Sequence, residues 1–212
     1  MTEASKERVS ETGKQLLEEG LTRATGGNVS TRTSEGTIAI SPSGIPYPEI
    51  EPEDVPVVTM AGEQVYGTNP PSSETPMHTE IYERRPGGGG IVHRHSPYAS
   101  TFAVLNEPSE VTHYLIAQAG PEIPVAGYAP PGSEKLGRLA AETLGTTYDA
   151  CLLRNHGVVT VGETLPAALE VAIVVEYVAR VHYQASNIGE PEPMASSDLE
   201  ELREIFDDYG QH

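Results

Sequence analysis

The stretch GGGGIVHRHS, residues 87–96, decides how the chain is read. Four glycines do not sustain a helix, and the apolar pair Ile91-Val92 that follows them starts a strand. Side chains alternate between faces along a strand, so His93 and His95 point the same way. Two imidazoles side by side can grip one cation, and imidazole is the commonest ligand for zinc and similar ions. Downstream, CLLR and GVVTV are apolar strands flanking Asn155-His156-Gly157, a tight turn that holds a third imidazole rigidly. Three protein ligands plus an open position is the pattern of a catalytic zinc ion. Upstream, Glu74 stands at the mouth of a helix after a Pro/Ser-rich loop, with Thr75 as the expected cap and Pro76 at the first helical position. Its carboxylate is a candidate fourth ligand, a general base, or each in turn. His78, four residues on, reaches toward the same place, but with His113, His182 and His212 it reads as structural or surface.

Outward from this centre, residues 5–20 read as a helix with Val9, Leu16 and Leu17 on one face and Gly20 closing it. LTRATGGNVSTRT reads as a polar turn region. TIAIS (37–41) and VPVVTM (55–60) read as strands, the second followed by a hairpin turn at AGEQ. Residues 96–105, 133–144, 164–186 and 198–208 read as helices, the second capped by Ser133. Intermixed strands and helices, with several hairpins, imply an α/β chain: a mixed, partly antiparallel sheet with helices packed on it. Residues 1–212 are expected to form one domain, with 190–212 as a C-terminal linker, helix and tail.

Composition narrows the partners. The formal net charge is -18, from 31 acidic and 13 basic residues, and only Lys6, Lys14 and Lys135 are lysine. Such a surface repels nucleic-acid phosphates and anionic lipid, so neither is an expected partner. Acidity with so little lysine suits a salt-adapted, halophilic protein. No apolar run approaches the ~20 residues of a membrane span. The polar start is no secretory signal, and one cysteine, Cys151, fits a reducing cytoplasm.

GGNVS (26–30) and SPSG (41–44) are rich in glycine and small hydroxyls, and Ser72-Ser73 add two more. Backbone N–H groups in such turns cradle anions without a lysine. None is a nucleotide P-loop, whose Gly-Lys-Ser/Thr end is missing.

GGNVS, SPSGIPY, PSSE, VHRHSPYA and NHG, in this order and at these separations, resemble the class II aldolase/adducin family, most closely its L-fuculose-phosphate aldolases, over residues 8 to 210. The resemblance implies a three-layer α/β/α fold with a central sheet, and a homotetramer with active sites between subunits. It implies His93, His95 and His156 as ligands of one Zn2+ per subunit, and Glu74 as the acid/base carboxylate. It further implies Asn28, Ser43, Gly44, Ser72 and Ser73 as phosphate-binding residues, and Tyr114 as a proton donor entering the neighbour's site. Phe206 and Tyr209 resemble mobile C-terminal residues that close over substrate. The family has threonine at the position of Ser43 and an aromatic residue near Pro131.

The implied reaction is zinc-dependent, reversible cleavage of a ketose 1-phosphate, such as L-fuculose 1-phosphate, to dihydroxyacetone phosphate and an aldehyde such as lactaldehyde. No Schiff-base lysine is needed, and the three lysines lie outside all the motifs. The same metal scaffold also serves pentulose-phosphate 4-epimerases and sugar-phosphate dehydratases, and adducin heads use the fold without catalysis. Tyr114 and the Phe206/Tyr209 tail favour the aldolase, and the intact ligand set argues against a non-enzymatic module.

Overall fold

The computed structural model describes residues 2–108 and 112–209, with the side chains of residues 196, 203, 204 and 207–209 left aside. Its frame is one eight-stranded sheet in the order β4-β3-β2-β1-β5-β8-β7-β6. The strands are β1 (Asn28–Arg32), β2 (Ile38–Ile40), β3 (Val57–Val58), β4 (Gln64–Tyr66), β5 (Gly90–Arg94), β6 (Val125–Ala126), β7 (Ala150–Leu153) and β8 (Gly157–Gly162). All neighbours are antiparallel except the parallel pair β6–β7, so the sheet is mixed and largely antiparallel.

The helices are α1 (Thr2–Glu18), α2 (Thr75–Arg84), α3 (Pro97–Leu105), α4 (Glu134–Leu144), α5 (Leu165–Ser186) and α6 (Ser196–Tyr209). They lie on both faces, and strand alternation sorts the core. Ile38, Ile40, Ile91, Val159 and Val161 pack against Met77 and Ile81 of α2 and Leu136 and Leu144 of α4. Val29, Ala39, Val57 and Val92 face α1 and α5, meeting Val9, Leu16 and Leu169. Ala150, Leu152 and Val158 meet α3 and α5. The result is the expected three-layer α/β/α stack, in which each fully buried Ile, Leu or Val contributes about 1.5–3 kcal/mol.

Local chemistry sets the helix ends. Gly20, at φ +68°, ends α1: its N–H bonds Leu17 O at 3.0 Å, and Leu21 N–H bonds Leu16 O at 2.9 Å. This pair is a Schellman motif, and it folds Leu21 back onto the same core as Leu16. Ser133 caps α4 by accepting from Leu136 N–H at 3.2 Å, a contact worth about 1 kcal/mol. Among the described residues no helix is long and apolar enough to cross a membrane.

One expectation fails at the centre of the sheet. NVSTR, read as part of a turn region, is the buried strand β1 between β2 and β5. Its polar side chains are buried because each finds a partner. Ser30 bonds His78 and Tyr82, Thr31 bonds Gly89 O at 2.8 Å, and Arg32 bonds Gly88 O at 2.9 Å while lying over the Tyr82 ring. Hydropathy alone does not reveal a strand whose burial is secured by side-chain hydrogen bonds. Thr75 is likewise not the cap of α2: Glu74 holds that position, and the Thr75 hydroxyl donates to Ser72 O at 2.7 Å.

Candidate active site

β5 delivers His93, and His95 follows one residue past the strand end. Their Nε2 atoms lie 3.1 Å apart. His93 Nδ1–H donates to Val158 O at 3.0 Å on β8, which fixes the tautomer and turns Nε2 toward its neighbours. His156 comes from the β7–β8 turn, where Asn155 takes a left-handed φ of +55°. A Cβ on Gly157 would stand 2.4 Å from Arg94 O and 2.9 Å from the His95 ring, so only glycine lets this turn close against β5. The His156 ring centroid is 4.8 Å from that of His93 and 5.1 Å from that of His95.

Glu74 completes the group. At the cap position of α2 it makes no side-chain cap bond, so its carboxylate is free to turn toward the imidazoles. Oε2 lies 3.0 Å from His93 Nε2 and accepts from Asn28 Nδ2 at 3.0 Å, while Oε1 lies 3.6 Å from His156 Nε2. The ligand atoms of Glu74, His93, His95 and His156 all lie within 4.8 Å of one another. Glu74 and His93 are buried, His156 is half-buried and His95 is exposed, so the cluster opens to solvent on the His95 side.

The electrostatics favour a cation. Burial, followed by repulsion from His93, pushes His156 down to about 4, and His95 falls to about 4 by burial, His93 and His156, so both are neutral at pH 7 with lone pairs available. Burial alone would raise the Glu74 carboxyl. His93, through charge and a hydrogen bond, and the Asn28 amide outweigh it and hold Glu74 well below the usual carboxylate range. Glu74 Oε1 is buried with no hydrogen-bond partner among the described residues. An ionised carboxylate and converging imidazole nitrogens, one carboxylate oxygen unpaired, form a donor set that fits a divalent metal ion.

The phosphate candidates are drawn together beside this cluster. Ser41 N–H bonds Val29 O at 2.9 Å, Ser72 N–H bonds Ser41 O at 3.1 Å, and Ser43 N–H bonds Pro70 O at 2.9 Å. These bonds bring segments 28–30, 41–44 and 70–74 side by side. Ser43, Gly44 and Ser73 are exposed, and Ser72 is buried with its hydroxyl accepting from Glu74 N–H at 3.2 Å. Asn28 is also buried, with its side chain committed to Glu74 and His78. Tyr114, 48% exposed, lies on the short 3-10 helix Tyr114–Gln118. Its ring stacks on His113 and, at 6.3 Å between centroids, on Phe206 of α6. The side chain of Tyr209 lies outside the described residues.

Sequence reasoning missed the part played by His78. It is fully buried, with Nε2 2.6 Å from Asn28 Oδ1 and Nδ1 2.6 Å from Ser30 Oγ. The one signal was its place a helical turn beyond Glu74. Burial, with repulsion from His93, pushes it down to about 3, which keeps it neutral.

Known proteins resemble this chain. Residues 7–183 match the family described as the Class II Aldolase and Adducin N-terminal domain. The chain belongs to this family, and its fold and metal-capable site are those of a class II, metal-dependent aldolase. Among individual relatives it is 39% identical over 212 residues to the 5-deoxy-D-ribulose 1-phosphate aldolase of Bacillus thuringiensis, covering 100% of this chain and 99% of the relative. It is 33% identical over 205 residues to an Escherichia coli L-fuculose phosphate aldolase, covering 96% of this chain and 94% of the relative. A solved L-fuculose 1-phosphate aldolase superposes with a TM-score of 0.93 at 38% identity, covering 96% of each chain.

Proposed function

We propose that the protein is a zinc-dependent aldolase that reversibly cleaves a ketose 1-phosphate to dihydroxyacetone phosphate and a short aldehyde. The observation that carries this reading is Glu74 Oε1, without a hydrogen-bond partner among the described residues, at the edge of three converging imidazoles and beside the exposed Ser43, Gly44 and Ser73. Zinc held by His93, His95 and His156 supplies Lewis-acid polarisation of the substrate carbonyl. Ser43, Gly44, Ser72 and Ser73 hold the phosphate, fixing the end of the substrate that does not react. Asn28, assigned to phosphate by the family resemblance, serves Glu74 instead in this reading.

In the condensation direction Glu74 takes a carbon-bound proton of dihydroxyacetone phosphate at Oε1, and the carbon left with the electron pair attacks the aldehyde. A neighbouring subunit's Tyr114 gives its phenolic proton to the aldehyde oxygen as the new bond forms. Cleavage reverses each transfer. The substrate we favour is a 5-deoxypentulose 1-phosphate, cut to dihydroxyacetone phosphate and acetaldehyde, ahead of L-fuculose 1-phosphate, cut to lactaldehyde. Pro131, where an aromatic wall for the aldehyde is expected, supports this order, whereas identity barely separates the two classes, at 39% to the 5-deoxyribulose 1-phosphate aldolase and 38% to the solved L-fuculose 1-phosphate aldolase. A coupled assay of dihydroxyacetone phosphate release across ketose 1-phosphates, with ribulose 5-phosphate epimerisation followed alongside, tests the proposal. Release from the 5-deoxy sugar is the expected result, whereas epimerisation without release sinks the aldolase reading.

Sharing of the site between subunits has its own test. Tyr114 stands with Phe206 on the α3/α5 side of the sheet, free to serve a site other than its own. An inactive His95→Ala chain reassembled with an inactive Tyr114→Phe chain regains part of the activity, because some interfaces pair an intact metal site with an intact tyrosine. No recovery, with mixed tetramers confirmed by native mass spectrometry, rules out the shared site.

The charge of -18 per chain makes a tetramer strongly self-repelling in dilute buffer. The Debye length shrinks from ~10 Å at 0.1 M salt to ~3 Å at 1 M. The melting temperature therefore rises with molar KCl in a cytoplasmic, salt-adapted protein, and melts that are flat across that range count against salt adaptation.

A further inference from the structure

A buried line of side chains leads from α2 and β1 into the base. Tyr82 OH donates to Ser30 O at 3.0 Å and lies 2.9 Å from Ser30 Oγ. Ser30 Oγ lies 2.6 Å from His78 Nδ1, His78 Nε2 lies 2.6 Å from Asn28 Oδ1, and Asn28 Nδ2 lies 3.0 Å from Glu74 Oε2. Relative exposure is 1% at Tyr82, 0% at Ser30 and His78, 4% at Asn28 and 6% at Glu74, so water does not offer substitute partners along most of the line.

Donor chemistry gives this line one direction. An ionised carboxylate only accepts, so Asn28 must turn its amide N–H toward Glu74. Its carbonyl oxygen then faces His78, which must donate from Nε2. A neutral imidazole carrying its proton on Nε2 has an acceptor at Nδ1, and the Ser30 hydroxyl supplies that proton. With His78 in this tautomer, reversing the Asn28 amide would set its oxygen against the Glu74 carboxylate and its N–H against the Nε2–H of His78. Two buried contacts would be lost together, at a cost that a chain of this kind does not share with solvent.

We propose that His78 is a positioning residue: by holding the Asn28 amide in one orientation it occupies Glu74 Oε2 and leaves Oε1 as the single oxygen that exchanges a proton with substrate. This rests on the reading of Glu74 as the base. It adds a residue from the interior of α2 that touches neither metal nor substrate. His78→Leu removes the donor, whereas His78→Gln puts an amide N–H near the place of Nε2.

The test has two parts. In the unmodified, metal-free protein, ring-nitrogen NMR of His78 reads the tautomer, and a protonated Nε2 with an unprotonated Nδ1 is expected. In the zinc-loaded enzyme, exchange of a carbon-bound proton of dihydroxyacetone phosphate with solvent deuterium is followed for each variant. His78→Leu loses at least tenfold in kcat for exchange, with KM and bound zinc unchanged, and His78→Gln recovers most of it. A proton on Nδ1, or equal exchange by the Leu and Gln variants, overturns the proposal. Because the tautomer is read on the native chain, a Leu variant that fails to fold leaves the hydrogen-bond line open to refutation. A native enzyme that binds zinc and dihydroxyacetone phosphate yet exchanges no proton refutes Glu74 as the base, and with it the positioning role, whatever the tautomer.

Discussion

Replacing His95 by alanine is expected to strip most of the bound metal and the aldol cleavage while the fold survives. His95 lies past the end of β5 and is exposed, so its ring adds little to the core. What it adds is a nitrogen 3.1 Å from His93 Nε2 in a cluster of four ligand atoms. Removing one of three imidazoles opens the site to water and leaves two imidazoles and the Glu74 carboxylate, which the reaction also needs as its base, so capture of a divalent ion weakens. His93 is a poorer probe, because it is fully buried and bonds Val158 O, so its loss also damages the sheet. Elemental analysis of the purified variant is expected to find little zinc, and circular dichroism of the metal-free proteins to give closely similar melts. A full complement of tightly bound zinc in His95→Ala would remove His95 from the ligand set.

Glu74→Gln is expected to stop the proton transfer and spare the binding. Glutamine matches glutamate in shape, and its carbonyl oxygen can still accept from Asn28 Nδ2, which lies 3.0 Å from Glu74 Oε2. It has no basic oxygen to offer where Oε1 has no hydrogen-bond partner among the described residues. Loss of a positioned general base lowers the rate by roughly 10²–10⁴-fold. The affinity for dihydroxyacetone phosphate, measured by calorimetry, is expected to stay within a few-fold, because Ser43, Gly44, Ser72 and Ser73 are untouched. Solvent-deuterium exchange at the carbon is the decisive reading. Undiminished exchange in Glu74→Gln would take the base away from this residue.

How much of this was legible in the sequence depends on what held each element in place. The HxH spacing at 93 and 95, and the turn carrying His156 between two apolar strands, follow from strand alternation and hydropathy, and the structure brings these three rings to one point. Helices 133–144 and 164–186 were legible from their apolar spacing and from the polar residues before them. β1 was not, because four of its five residues are polar or charged and are buried or half-buried only through partners on α2, its cap and the 85–89 loop. The commitment of Asn28 to Glu74 was hidden for the same reason: it depends on a β1–α2 contact between residues 46 positions apart. The exposed Tyr114, packed on Phe206 from the far end of the chain, shows why a local motif does not say which site a tyrosine serves.

On the proposed reading, the Glu74/His93/His95/His156 cluster holds the metal on which aldol cleavage depends. The most direct measurement is dihydroxyacetone phosphate release from a ketose 1-phosphate before chelation, after removal of metal, and after zinc is added back. Release is expected to fall to background in the metal-free protein and to return with one zinc per chain. Undiminished release from protein shown to be metal-free would rule out a metal-dependent cleavage at this cluster.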